Sequence, residues 1–197
     1  YTSQYTLSLH DALPIYGADT VRTFLMFFAR WDLGGPWDSQ GIKGPRRFLE
    51  DVWSLAVEDG KRGKGGEAPG ADAVRDLRRK THQTIRKVSQ DLQDFSFNTA
   101  IAAVMELLNA LSRHAGDSPQ DRSLRQEICE AVVLMLSPIV PHACHALWTA
   151  LGKAGSVVDQ PWPQHDPAAL VRDEVELVVQ VQGKLRGRIR VARDAPE

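Results

Sequence analysis

The chain has 197 residues, a formal net charge of −1 and 25% charged residues. That is enough for one or two domains with a real core, and too balanced for overall charge to announce a partner. The longest apolar run, Ala131–Leu136, falls far short of the roughly 18–20 residues a bilayer span needs. No basic segment followed by an apolar one marks a secretory signal. Cys129 and Cys144 sit in apolar helical context and make no disulfide framework, so the chain reads as cytoplasmic, off the membrane, with buried free thiols.

Tyr1–Ile15 has no clear period, and Ser8–Ile15, SLHDALPI, looks like a translated sequencing-adapter oligonucleotide. It reads as a non-native leader and is set aside. From Tyr16 the pattern turns helical. Asp19 is placed to cap a segment whose apolar residues Val21, Phe24, Leu25 and Phe28 recur at i, i+3, i+4, i+7. Asp32–Gly41, with three glycines and Pro36, reads as a loop anchored by Trp31 and Trp37. A second helix follows, with Pro45 in its first turn and Phe48, Leu49, Val52, Trp53 and Ala56 inward.

Asp59–Ala71 reads as a flexible connector. Its GKRGKGG lacks the GxxxxGK(S/T) spacing and preceding strand of a phosphate loop. Asp72–Gln93 is a long amphipathic helix, apolar at Val74, Leu77, Thr81, Ile85, Val88 and Leu92, and basic elsewhere. After a break at Asp94–Phe97, Asn98 or Thr99 opens a helix with Ile101, Val104, Met105, Leu108 and Leu111 inward. Leu124, Ile128, Val132 and Met135 define another, interrupted at Ser137–Pro141 because proline lacks a donor and clashes with the preceding turn. Helix resumes to Leu151, with Gly152 as the residue that stops it. Gly155–Leu170, with three prolines, reads as an extended linker.

Val175–Val191 reads as a β-hairpin. Strand alternation puts Val175, Leu177, Val179 and Val181 on one face of the first strand. In the second, Leu185, Gly187, Ile189 and Val191 share a face, and Arg186, Arg188 and Arg190 line the other. Apolar positions are odd-numbered in both strands, so matched faces require an odd loop. Gln182–Lys184 would serve, setting Glu176 opposite Arg190, Val178 opposite Arg188 and Gln180 opposite Arg186. The fold class is therefore mainly α: an antiparallel helix bundle followed by a β-hairpin that begins a truncated α/β module.

Basic charge collects in two places. Gly60–Gln93 holds nine Lys/Arg against four Asp/Glu, and Gly183–Arg193 holds five with no acid. Either segment alone could be a solvated face. Together, in a near-neutral helical chain, they suggest a surface for RNA backbone, which proteins read through shape and phosphate. No catalytic site is legible. His142, Cys144 and His145 lack the spacing and fourth ligand of a zinc site, so no metal is expected. His82 and His114 read as surface residues. Glu50 with Asp51, and Asp91 with Asp94, lack an acid–base partner.

YGADTVRTFLMFFAR and PWDSQGIKGPRRFLEDVW resemble the segment that follows the ATP-site lysine loop of class I aminoacyl-tRNA synthetases. THQTIRKVSQDLQDFSFNTAIAAVMELLNAL and LSPIVPHACHALWTALG resemble that class's anticodon-binding helical domain. With WPQHDPAALVRDEVELVVQVQGKLRGRI, the combination is similar to the leucyl-tRNA synthetase family. Gln182 stands where that family's pattern has Asn, and Cys144 and His145 replace a small and an acidic residue. The hairpin sequence argues against the valyl and isoleucyl relatives; a free-standing RNA-binding module and a helical scaffold remain open.

The resemblance implies residues 16–40 as the tail of a catalytic domain, 41–165 as the anticodon-binding bundle and 166–197 as a linker with the truncated start of a C-terminal tRNA-binding domain. It implies docking of tRNA(Leu) by a monomer in company with absent N-terminal catalytic and editing domains. No HIGH or KMSKS motif occurs in this chain, so no cofactor is expected here, and the family's ATP and Mg would belong to the intact enzyme. Expected tRNA contacts are Arg186 and Arg188, then Lys184 and Arg190. Arg79, Lys80, Arg46 and Arg47 are weaker candidates, the last two also serving as a brace to the catalytic domain.

Overall fold

The computed structural model describes residues 12–13, 16–30, 33–34, 38, 40–57, 70–171, 174–181 and 184–192. In the two strands it describes the backbone and, of the side chains, Arg186. The helices are α1 (Ala18–Phe28), α2 (Lys43–Val57), α3 (Ala71–Gln93), α4 (Phe97–Arg113), α5 (Pro119–Leu136) and α6 (Pro141–Ala150). Short 3-10 turns follow at Val157–Asp159 and Ala168–Leu170, then strands β1 (Glu174–Val181) and β2 (Lys184–Ala192). The chain divides into two compact units, Tyr1–His165 and Asp166–Glu197. The expectations for Tyr1–Asp11, for Trp31 and Trp37, and for the GKRGKGG connector fall outside the described residues.

In the first unit, α3 and α4 are joined by three residues and pack antiparallel along their length. The core is filled by the periodic residues of the bundle: Leu77, Ile85 and Val88 of α3, Ile101, Val104, Leu107 and Leu111 of α4, and Ile128, Val132 and Met135 of α5. Each large side chain so covered contributes roughly 1.5–3 kcal/mol. A smaller cluster gathers Val21, Phe24, Ile42 and the fully buried Ala12. Leu25, Phe28 and Trp53, expected inward, are each about 40% exposed. A helix that packs on neighbours along one narrow stripe leaves the flanks of its apolar arc open.

Helix ends follow local chemistry in part. Gly152, at φ 73°, closes α6: its amide bonds the Thr149 carbonyl and the Lys153 amide bonds that of Trp148. The same bond pattern ends α3, with Ser96 bonding Asp91 and Phe95 bonding Leu92, but there Phe95 holds the left-handed position at φ 54°. Ser118 caps α5 through a reciprocal box with Asp121. Asp19 does not cap its own helix. Gly17 stands at that position, and Asp19 lies inside α1, with its carboxylate free to act elsewhere.

The proline-rich segment is also corrected. Up to His165 it is a strap on the bundle rather than an extended linker. Val157 is buried, Trp162 Nε1 donates to Ser89 Oγ of α3 at 2.8 Å, and Trp148 Nε1 donates to the Ala154 carbonyl at 3.2 Å. Prolines do not prevent docking, because the strap binds through side chains that need no amide ladder.

In the second unit, β1 and β2 form an antiparallel pair. Glu176 opposite Arg190 and Val178 opposite Arg188 are as expected. Toward the turn the register shifts: Val179 faces Gly187, Gln180 faces Leu185 and Val181 faces Lys184. Lys184 is therefore in the strand, two residues separate the strands, and Arg186 is the extra residue of a β-bulge. The odd residue that alternation asks for sits in the bulge rather than in the loop, so the pairs from Glu174 to Val178 keep the expected register while the two pairs at the turn do not. On the turn side of the bulge the backbone of Lys184 and Leu185 is one position out of phase with that of Arg188 and Arg190.

Candidate nucleic-acid interface

The basic face of α3 is a set of ion pairs rather than a bare cationic stripe. Arg75 pairs with Asp72 at 2.8 Å, Arg79 with Asp76 at 2.7 Å, and Lys87 with Asp91 at 2.8 Å. Lys80 reaches across to Glu106 of α4 at 3.3 Å. Exposed pairs of this kind are worth roughly 0–1 kcal/mol, so a phosphate can compete for the cation. Arg79 differs from its neighbours. Its side chain is only 15% exposed, and its Nε has no partner among the described residues.

On α2, Arg46 Nε donates to Glu50 at 3.0 Å, and its guanidinium stands 6.0 Å from the centre of the Tyr16 ring. Arg47 is mostly open, 4.0 Å from Asp51. In the second unit, Arg186 is exposed on its bulge. The side chains of Lys184, Arg188 and Arg190 lie outside the described set. The structure thus gathers Arg79 and Lys80 on α3 and Arg46 and Arg47 on α2, with the ribbon residues in a separate unit.

Sequence reasoning passed over a groove between α3 and α4. It holds about 350 Å³ and is lined by Lys80, Gln83, Thr84 and Lys87 on one wall and Thr99, Ala102, Ala103 and Glu106 on the other. Both sets run at i, i+3, i+4, i+7, the spacing of one helix face, so the signal was present in the sequence. It was hidden because Thr84 and the two alanines carry no charge.

Two buried polar nodes, around Asp121 and around Asp19, were also missed. His82 and His114, read as surface residues, are both buried. His82 stands 3.3 Å from Glu127, and His114 Nε2 lies 2.6 Å from Asp121 Oδ1. The other Asp121 oxygen accepts from the Ser118 amide at 2.9 Å and from the Ser118 hydroxyl. The Ser118 hydrogen bonds, opposed by burial and helped by His114, hold the Asp121 carboxyl below its ordinary value near 3.8. A lowered pKa means that the folded chain binds the proton less readily than the unfolded one. The stabilisation is complete above the ordinary aspartate range and is lost as pH falls through the lowered folded value. Asp121→Asn is accordingly expected to reduce the acid-induced loss of stability measured by denaturation between about pH 5 and pH 2. An unchanged acid limb would refute the assignment.

Asp19 of α1 makes the second node. Its Oδ2 accepts from the Ala143 amide at 2.6 Å and its Oδ1 lies 3.0 Å from His142 Nδ1. Val140 precedes α6 and has no capping side chain, so a carboxylate from another helix does the capping. Cys144 is buried beside it. Burial, with a contribution from Asp19, pushes its thiol far up, and burial pushes Cys129 up to about 11. Both cysteines are free.

Among the described residues no three His, Cys, Asp or Glu gather as metal ligands. His142 turns to Asp19 while Cys144 packs inward, so the PHACH run assembles no ligand set. No described helix is long and apolar enough to cross a membrane.

The family model described as the anticodon-binding domain of tRNA ligase matches residues 74–197, and the chain belongs to that family. Its relatives include leucine–tRNA ligases. The one from Marinobacter nauticus is 50% identical over 186 residues, covering 91% of this chain and 21% of the relative. The one from Halorhodospira halophila is 49% identical over 199 residues, covering 98% of this chain and 24% of the relative. A crystal structure of a ternary LeuRS–tRNA–LeuAMS complex from Agrobacterium radiobacter matches with a TM-score of 0.80 at 27% identity, over 96% of this chain and 25% of that one. The chain thus spans a quarter or less of these relatives' length.

Proposed function

We propose that this chain is the tRNA-docking portion of a cytoplasmic leucine–tRNA ligase that acts as a monomer on tRNA(Leu). The observation that carries the reading is near-50% identity to leucine–tRNA ligases along almost the whole chain. Residues 41–165 form the docking bundle, 166–197 begin a separate tRNA-binding module, and 16–40 close the catalytic domain. Leucine activation with ATP and Mg, and editing, belong to catalytic and editing domains of the longer protein outside this chain. The chain's own contribution is electrostatic and geometric: cations on α2, α3 and β2 meet phosphates, and each contact releases counterions.

Filter binding of bulk tRNA to the chain at low and moderate salt tests the reading. Affinity is expected to fall linearly on a log–log plot. Arg186→Ala with Arg188→Ala should flatten that slope by roughly 1.5 and weaken binding about tenfold at low salt. If the slope of the double variant equals that of the parent, the ribbon is not part of the docking surface.

A further inference from the structure

The α3–α4 groove has a feature that charge alone does not explain. Thr84 is 5% exposed. On the same helix, Thr81 and Ser89 donate their hydroxyls to carbonyls one turn back, at 2.9 and 2.7 Å. The Thr84 hydroxyl has no partner among the described residues, although it lines the groove. The Gln83 amide beside it is likewise without a protein partner among the described residues. Lys80 and Lys87 stand one turn to either side, each held by an acid, Glu106 and Asp91. Across the groove, Thr99 spends its hydroxyl on the Ser96 carbonyl at 2.9 Å, while Ala102 and Ala103 leave room for a ring to approach.

We propose that this groove is a ribose–phosphate site on the tRNA-docking face. Lys80 and Lys87 take phosphates on either side of one bound nucleotide. Their seven-residue separation is about 10 Å along the helix, which two flexible arms can narrow. Thr84 and Gln83, each able to donate and accept, hydrogen-bond the 2′-hydroxyl between them. That hydroxyl is what distinguishes RNA from DNA at a single site. Glu106 at the mouth holds Lys80 until phosphate displaces it, and it repels a strand bound off register.

The proposal rests on the tRNA-docking reading, and its test separates the two. The full chain and its Thr84→Val and Lys87→Gln variants are titrated with a leucine tRNA transcript and with an all-deoxy strand of the same sequence. Valine keeps the shape of threonine, and Lys87 is exposed, so both variants are expected to fold. Thr84→Val should weaken binding of the transcript about fivefold and leave the deoxy strand unchanged. Lys87→Gln should weaken both and reduce the salt slope by about 0.7–0.9. A parent chain that ignores the transcript overturns the docking reading and the groove with it. A parent that binds, with Thr84→Val unchanged on both strands or equally weakened on both, overturns the groove alone.

Discussion

Alanine in place of Gly116 is expected to lower stability by about 3 kcal/mol, the scale of breaking a buried ionic network. Gly116 lies between His114 and Ser118, and a Cβ built there would run into the Asp121 carboxylate. That carboxylate cannot step aside without loss. It is pinned by His114 on one oxygen and by the Ser118 amide and hydroxyl on the other. Displacing it undoes the α5 cap and strands a buried histidine. For a chain of this length, each kcal/mol shifts the melting temperature by roughly 2–4 °C, so a fall of about 6–12 °C is expected by calorimetry. The mechanism has its own control. In an Asp121→Ala background the same glycine substitution meets no carboxylate and should cost less than about 1 kcal/mol. Additive losses would show that the clash is not the cause.

The second large effect is at Asp19. Removing its carboxylate leaves the Ala143 amide in the first turn of α6 without this partner and loosens α1 from α6. The bond to Ala143 is short and charged, and negative charge at a helix N-terminus is favoured by the helix dipole. Asp19→Ala is expected to cost about 2–3 kcal/mol in urea unfolding. Asp19→Asn keeps an acceptor without the charge and should recover part of that. A specific local readout accompanies the global one. The Ala143 amide should exchange faster, and Cys144, whose thiol is held protonated by burial, should label faster with a thiol reagent. If Cys144 labelling is unchanged while global stability falls, Asp19 does not act by holding the start of α6.

The helical spans were legible because each rests on local rules. Apolar residues at 3.6 spacing marked α3 through α6 and placed both ends of α3 within a residue, the proline at 141 separated α5 from α6, and Gly152 ended α6. The resemblance to leucyl-tRNA synthetases was legible too, because half of the residues are shared with those relatives. The candidate cations on α2 and α3 could be read by residue type, but not how open each one is. Arg79 and Lys80 are neighbours in sequence, yet one is mostly covered and the other spans to α4.

Partners of buried polar groups were decided only by the packed structure. Asp19 and His142 lie 123 positions apart, and no periodicity relates them. His82 and His114 look alike in sequence to any surface histidine, and burial follows from which helix lies over them. The bulge at Arg186 has the same origin: alternation demanded an odd count between the strands, and the pairing of two whole strands chose where the extra residue would sit. Period and punctuation belong to a single segment of backbone and survive in its letters. Contacts between segments depend on the shape left when several helices close over one core, and that shape is a property of the assembled chain.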